Sequence, residues 1–441
     1  MPPAPALNPV HRALEAAWRL ESAKVIASVA RLVRDVGLAE ELAQDALVAA
    51  LEHWGARGLP DNPGAWLMAT AKNRAFDRLR QDALHARKHE ALGADLEALQ
   101  AHVEPDFVDA LGASRDDDIG DDLLGLVFTA CHPLLAEPAR VALTLRLVGG
   151  LTTQEIARAC LTPEATVAQR IVRAKRTLAE AQVPFDVPRG AALVPRLASV
   201  LAVVYLIFNE GHSATTGDDW VRPALCDEAL RLGRLLAGLA SRLAATDGAA
   251  PESEVHGLLA LMELQASRLP ARTDAAGQPV LLLEQDRSRW STPAIARGLA
   301  ALQHAEAAAQ AAGTPLGPYA LQAALAACHA RAAHANDTDW ARIVATYDAL
   351  LSATPSPVVA LNRAVAVGMA SGPAAALALV DALLDAPALA HYPLLPSVRA
   401  DLLAKLGRGA EARVEFERAA GMALNARERD WLLARARQTA L

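Results

Sequence analysis

From Leu151 to Ala181 the chain reads LTTQEIARACLTPEATVAQRIVRAKRTLAEA, and the order of its local signals points to one supersecondary arrangement. Thr152 and Glu155 stand at capping-box spacing and open a short helix. Leu161 ends a turn, Thr162 offers a second cap, and Pro163 takes the first position of the next helix. Along that helix Val167, Ile171, Ala174 and Leu178 recur at i, i+4, i+7 and i+11, giving one apolar face. Thr166, Gln169, Arg170, Arg173 and Arg176 project elsewhere. Two short helices joined in this way form a helix-turn-helix. Each cap contributes only about 1 kcal/mol, so it is the order of the signals that decides.

The rest of the chain is helical by the same reasoning. Alanine and leucine dominate, strings of valine, isoleucine and threonine are almost absent, and aromatic residues make up 4%. Ala, Leu, Arg and Glu lose least on entering a helix, so the expected fold class is all-α. At 441 residues, with 53% hydrophobic and 21% charged, the chain is expected to form two to four core-containing domains. Cys131, Cys160, Cys226 and Cys328 lie far apart without a CxxC pair, which argues against a disulfide framework or a zinc site. A reducing cytoplasm fits that usage. The apolar run Leu197 to Phe208 is shorter than the roughly 20 residues a bilayer needs, so a buried helix is expected there, and no membrane partner.

The net charge of −7 is unevenly spread. Residues 1–90 carry +1, 91–122 carry −9, 123–180 carry +3, and the remainder −2. Two mildly basic modules therefore flank an acidic segment, and any DNA-binding signal is local.

Domain organisation follows. In residues 1–90, Val25, Val29, Leu32, Val33 and Val36 keep helical spacing up to Gly37, which reads as a breaker. A helix from Leu38 to Trp54 follows, then the turn RGLPDNP, where Asn62 is placed to cap and Pro63 to start a long helix reaching about Lys88. Residues 91–122, ending in DDDIGDD, read as a linker; 123–183 hold the helix-turn-helix; 190–441 read as helices with short loops. In that tail, Gly407 followed by Ala412, Phe416 and Ala419 matches the second half of a tetratricopeptide repeat. Gly372 lies close to one repeat earlier, and Trp340 and Tyr347 match the first half of a unit.

GLAEELAQDALVAALEHW followed by NPGAWLMATAKNRAFDRLR resembles region 2 of the extracytoplasmic-function sigma factors of RNA polymerase. GLTTQEIARACLTPEATVAQRIVRAKRTL resembles their region 4, and the two blocks in this order are specific. YLIFNEGH, LEQDRSRW, LGPYALQAALAACHA and ALNRAVAV resemble the C-terminal extension of the subgroup with a tetratricopeptide-like tail. The implied fold is a region 2 helical bundle, a region 4 helix-turn-helix and a large helical array. The implied function is promoter-specific transcription initiation, without covalent chemistry of its own and without a cofactor or metal. The implied partners are core RNA polymerase, through the β′ clamp helices and the β flap, and promoter DNA.

The resemblance also assigns roles. Glu41, Gln44 and Asp45 would meet the clamp helices. The −10 element would be read by Asn62 and Asn73, with Arg74, Arg78 and Arg80 on phosphates. Trp66 reads as core and Asp77 as orienting a neighbouring arginine. Thr166, Gln169, Arg170, Arg173 and Arg176 would enter the major groove at the −35 element, where arginine suits guanine O6 and N7. The acidic linker would thread the polymerase cleft. The tail would regulate, through contact with the sigma regions, or would touch polymerase.

Other expectations rest on the residues alone. Asn209-Glu210-Gly211 reads as a helix C-terminus, and Gln285-Asp286-Arg287 with Trp290 as an internal polar network or a ligand contact. His132, His212 and His329 read as isolated core or surface histidines. Two other classes stay open: a stand-alone helix-turn-helix regulator with a ligand-sensing tail, and an enzyme using a tail pocket at Glu210, Asp286 and Arg287.

Overall fold

Asp35 divides the first apolar stretch in two. Its carboxylate accepts the N–H groups of Gly37 and Leu38 at 2.7 and 3.0 Å, capping a helix, while Arg34 before it turns left-handed at φ 56°. The break therefore falls at Arg34-Asp35, and Gly37 lies inside the next helix. A capping carboxylate satisfies two otherwise orphaned donors, which a glycine does not do. Helix α1 spans Pro9–Val33 and α2 Val36–Arg57.

The computed structural model describes residues 9–91, 116–160, 162–188, 192–213, 221–247, 252–275, 277–423 and 425–439. These residues form eighteen α-helices and no strand, an all-α fold as expected. They divide into two units, Met1–Val203 and Val204–Leu441, with the division inside a helix.

In the first unit α3 spans Pro63–Ala91, α4 Asp116–Ala130, α5 Glu137–Leu147, α6 Thr153–Ala159 and α7 Glu164–Glu180. Asn62 Oδ1 accepts the Ala65 N–H at 3.0 Å, and Pro63 begins α3 as the turn chemistry predicts. Helix α1 lies at the centre, packed on α2, α3 and α4 through Val25, Ile26, Val29 and Ala30, all nearly inaccessible to solvent. The acidic run belongs to α4 rather than to the linker. Its last residue, Asp122, is buried, accepts the Ser28 hydroxyl at 3.1 Å and pairs with Arg31 at 3.2 Å. Residues 92–115 of the expected linker lie outside the described residues.

Helix α8, Leu193–His212, contains the division between the units. By length and composition alone it is apolar enough to cross a membrane, yet Leu197, Val200, Leu201, Val203, Val204, Ile207 and Phe208 are all buried. Its first half is built into the first unit: Arg196 donates to the Phe128 carbonyl at 2.9 Å and Ser199 Oγ to that of Cys131 at 2.7 Å. The first unit thus runs past residue 190, where the sequence pattern placed the start of the tail.

The second unit continues with α9 Pro223–Asp247, α10 Glu252–Ala266, α11 Thr292–Ala312 and α12 Pro318–Arg331. Helix α10 is its hub, packed on α9, α11 and α12 through Ala260, Leu261 and Leu264. Asn209-Glu210-Gly211 forms the last turn of α8, as expected, and packing explains why a glycine stands there. A Cβ there would stand 2.7 Å from the Cys226 nitrogen and 2.9 Å from the Arg222 oxygen, and the helix continues to His212. Then come α13 Trp340–Ala353, α14 Pro357–Ser371, α15 Pro373–Asp381, α16 Leu394–Lys405, α17 Gly409–Met422 and α18 Ala426–Gln438. Each of these packs on the next in the chain, as in a helical repeat array. Ala412, Phe416 and Ala419 are buried, and Trp340 and Tyr347 pack beside Ile343 and Leu350.

Candidate nucleic-acid interface

Helices α6 and α7 build the helix-turn-helix. The Thr152 N–H donates to Glu155 Oε2 at 2.8 Å and the Glu155 N–H to Thr152 Oγ1 at 3.2 Å, a complete capping box. The second expected cap is not used. The Thr162 hydroxyl donates back to the Cys160 carbonyl at 3.1 Å, and Pro163 itself stands at the cap position without a side-chain bond. A proline there still presets the backbone for the helix, so the turn closes without the hydroxyl.

The apolar face of α7 is the expected one: Val167, Ile171, Ala174 and Leu178 are all buried. Opposite it Gln169, Arg173 and Arg176 recur at i, i+4 and i+7, all exposed, with Thr166 and Arg170 half-buried along one edge. Arg176 pairs with Glu180 at 2.6 Å, which holds its charge more firmly. The pair is fully in solvent, where such contacts contribute little and exchange readily for a phosphate.

In α3 the polar face carries Asn73, Asp77 and Arg80, all exposed. Arg74, Arg78 and Arg80 each lie near a carboxylate: Asp45 at 3.5 Å, Asp82 at 3.2 Å and Asp77 at 3.5 Å. Asp77 thus stands beside an arginine as expected. Trp66 is half-buried, its ring stacked on His53 at 5.6 Å and edge-on to buried Trp54 at 5.5 Å. It completes an aromatic cluster under the turn instead of standing open for a base.

On α2, Glu41 and Asp45 are exposed and Gln44 is half-buried. Gln44 leads to a residue that the sequence reading passed over. Its Nε2 donates at 2.7 Å to Glu40 Oε1, which also accepts Arg146 Nε of α5 at 2.6 Å. Lys175 of α7 pairs with the other carboxylate oxygen. Glu40 is 3% exposed, so one buried carboxylate ties the helix-turn-helix to α2. A signal was present: Glu40 falls on the apolar stripe Val36, Ala39, Ala43, Ala46 and Ala50, where a carboxylate needs partners. Beside this clamp the modules leave an open cleft of about 640 Å³, lined among others by Arg31, Arg34, Gln182 and Asp186.

Residues 19–84 match the family described as sigma-70 region 2, residues 126–178 that of sigma-70, region 4, and residues 196–306 a family of unknown function (DUF6596). An uncharacterized protein of Rhizobium meliloti is 42% identical over 406 residues, 92% of this chain and 90% of its own. The ECF RNA polymerase sigma factor SigK of Mycobacterium ulcerans is 30% identical over 159 residues, 35% of this chain and 78% of its own. The probable ECF RNA polymerase sigma factor SigI of Mycobacterium tuberculosis is 26% identical over 179 residues, 40% of this chain and 58% of its own. No solved structure matches the chain.

Proposed function

The chain belongs to the extracytoplasmic-function family of RNA polymerase sigma factors, with a C-terminal extension, and from that premise we propose that it binds core polymerase and selects promoters through paired −10 and −35 contacts. The observation that carries the proposal is the face of α7, where Gln169, Arg173 and Arg176 point away from a fully apolar opposite side. That layout suits a major groove, in which a bidentate arginine discriminates bases by about 1–3 kcal/mol. Thr166 and Arg170 extend the same surface. On α3, Asn73 is the base reader, and Arg74, Arg78 and Arg80 exchange weak surface pairs for phosphates. Asn62 contributes through the turn that it caps.

Glu41, Gln44 and Asp45 form the polymerase-docking face, meeting the β′ clamp helices while the helix-turn-helix engages the β flap. The protein then works in the cytoplasm, where polymerase supplies the chemistry.

The Glu40 clamp adds a conformational step. The two promoter elements lie about 25 base pairs apart, roughly 85 Å at 3.4 Å each, so modules held side by side cannot occupy both. The stretch from Ala91 to Asp116 reaches roughly 85 Å fully extended, enough for the modules to separate. The arrangement with Lys175 on Glu40 is therefore the polymerase-free state, and core binding opens it.

Run-off transcription with purified core polymerase and the protein's own upstream DNA tests the assignment. A single start site, with yield down at least about 10-fold on changing Arg170 and Arg173 to Ala, is the expected result. Failure to bind core polymerase would sink it and favour a stand-alone regulator.

A further inference from the structure

The second unit holds a cluster of basic groups that the sigma function does not use. Arg268 follows α10, Arg287 sits in the turn Arg287–Arg289, and both guanidinium groups lie over the Trp290 ring, at 6.0 and 4.7 Å from its centre. Arg272 Nη1 lies 3.3 Å from His212 Nε2. His212 is a core histidine, as expected, and both it and half-buried His329 lie within the field of these arginines.

The arrangement is short of negative charge. Arg268 donates to Gln265 Oε1 at 3.0 Å, and Arg287 Nη1 to the carbonyls of Ala332, at 2.7 Å, and His329. Among the described residues neither arginine has a carboxylate within ion-pair distance. Buried Glu263 is held by Arg234 and Arg297, and Asp337 acts on Arg287 only through its field, without an ion pair. Arg287 keeps Nε and Nη2 buried without a partner, and so do Gln285 Oε1, Trp290 Nε1 and His329 Nδ1. Gln285 and Trp290 are each only 7% exposed.

The electrical consequence is visible. Burial, with Arg272 and Arg287 adding to it, pushes Arg268 down to about 9, and burial with the arginine field pushes His329 down to about 4. Cations kept together at such a cost need an anion or a reason to repel.

We propose that this cluster is a binding site for the multiply charged oxyanion group, phosphate or polycarboxylate, of a small molecule. Guanidinium forks match both groups bidentately. Unpartnered donors at Trp290 and Arg287, all of them buried atoms, fit a small ligand group better than a macromolecular surface. All of these residues except His329 lie in the 196–306 stretch that matches the family of unknown function. Of the expected polar network, Arg287 and Trp290 supply the donors of the ligand contact; Gln285, whose amide donates to the Val280 carbonyl, and Asp286, turned onto Ser288, lie outside it.

The test uses the full chain, melted in inorganic phosphate, pyrophosphate or citrate against sodium chloride of equal ionic strength. At least one anion raises the melting temperature by about 3 °C or more, and calorimetric titration shows saturable binding. Which anion succeeds distinguishes a phosphoryl from a carboxylate ligand. Arg268→Gln and Arg287→Gln abolish the shift, and Arg268→Gln leaves the anion-free protein at least as stable, since it removes a charge disfavoured by burial and by Arg272 and Arg287. Arg413→Gln, at an exposed pair with Glu417, keeps the shift. The proposal is overturned if no anion exceeds chloride and titration shows no saturable heat. It is equally overturned if Arg268→Gln retains the shift, or lowers stability in chloride as a structural ion would.

Discussion

Both units bury a glutamate against two cations, and the two sites differ in what they join. In the first unit Glu40 receives Arg146 and Lys175, which are only 24% and 22% exposed. In the second Glu263 receives Arg234 and Arg297, about half exposed, from the neighbouring helices α9 and α11. Glu263 tightens helices already packed on α10. Glu40 joins modules that the proposed promoter contacts require apart, and its cations are the more desolvated. The same charge pattern is thus a brace in one place and a latch in the other. A latch is the costlier to damage, because its cations are left buried, but opening gives them water again.

The largest effect is expected at the latch. Glu40→Ala removes about 3–5 kcal/mol from the contact between α2 and α7. Spin labels at the exposed positions Val48 and Val172 should then report a broad, long distance distribution in place of a short one. An unchanged distance would show that apolar packing holds the modules instead.

Acid comes next and should act more strongly on the second unit. His329 is neutral in the fold, held down to about 4 by burial, against about 6.5 unfolded. The unfolded chain therefore binds the proton first, and stability is lost as pH falls from about 6.5 to about 4, by roughly 2–3 kcal/mol. His212, lowered by burial and Arg272, adds in the same direction. Calorimetric scans across this range should show the second unit's transition falling further; equal slopes in both would refute the assignment.

Glu263→Ala should cost about 2 kcal/mol, less than a fully buried pair, because its arginines rehydrate where they stand. Its spin-label distance across α2 and α7 should be unchanged, which separates brace from latch. The smallest effect is kinetic. Burial pushes the Cys131 thiol up to about 11 and that of Cys226 up to about 12, so a thiol reagent at neutral pH should label half-exposed Cys160 first. Early labelling of Cys131 would mean that α5 and α8 part from α4 spontaneously.

A truncation sharpens the comparison further. Removing everything after residue 190 would strip Arg196 and Ser199 from the carbonyls they hold on Phe128 and Cys131. Ending after Ser213 keeps those bonds, so only the second truncation tests the tail for regulation.

Features written in neighbouring residues were legible beforehand. The capping box at Thr152, the Asn62-Pro63 start and the apolar face of α7 depend on spacings of three or four residues. What escaped depends on chain segments far apart. Glu40 meets Arg146 across 106 residues, Asp122 meets Ser28 across 94, and Arg287 reaches His329 across 42. Glycine misled once, and for a local reason. At Gly37 the stop belonged to a neighbouring aspartate, whereas Gly211 does lie at the end of its helix, where the missing side chain also makes room for Arg222 and Cys226.

The span between Glu40 and Arg146 also sets an order in time. At roughly 5–20 residues per second of synthesis, Glu40 leaves the ribosome on the order of 10 s before the arginine that will hold it. Lys175 comes later still. For that interval α2 is complete while the cations that will hold Glu40 do not yet exist, so the clamp closes only once the first unit is nearly finished.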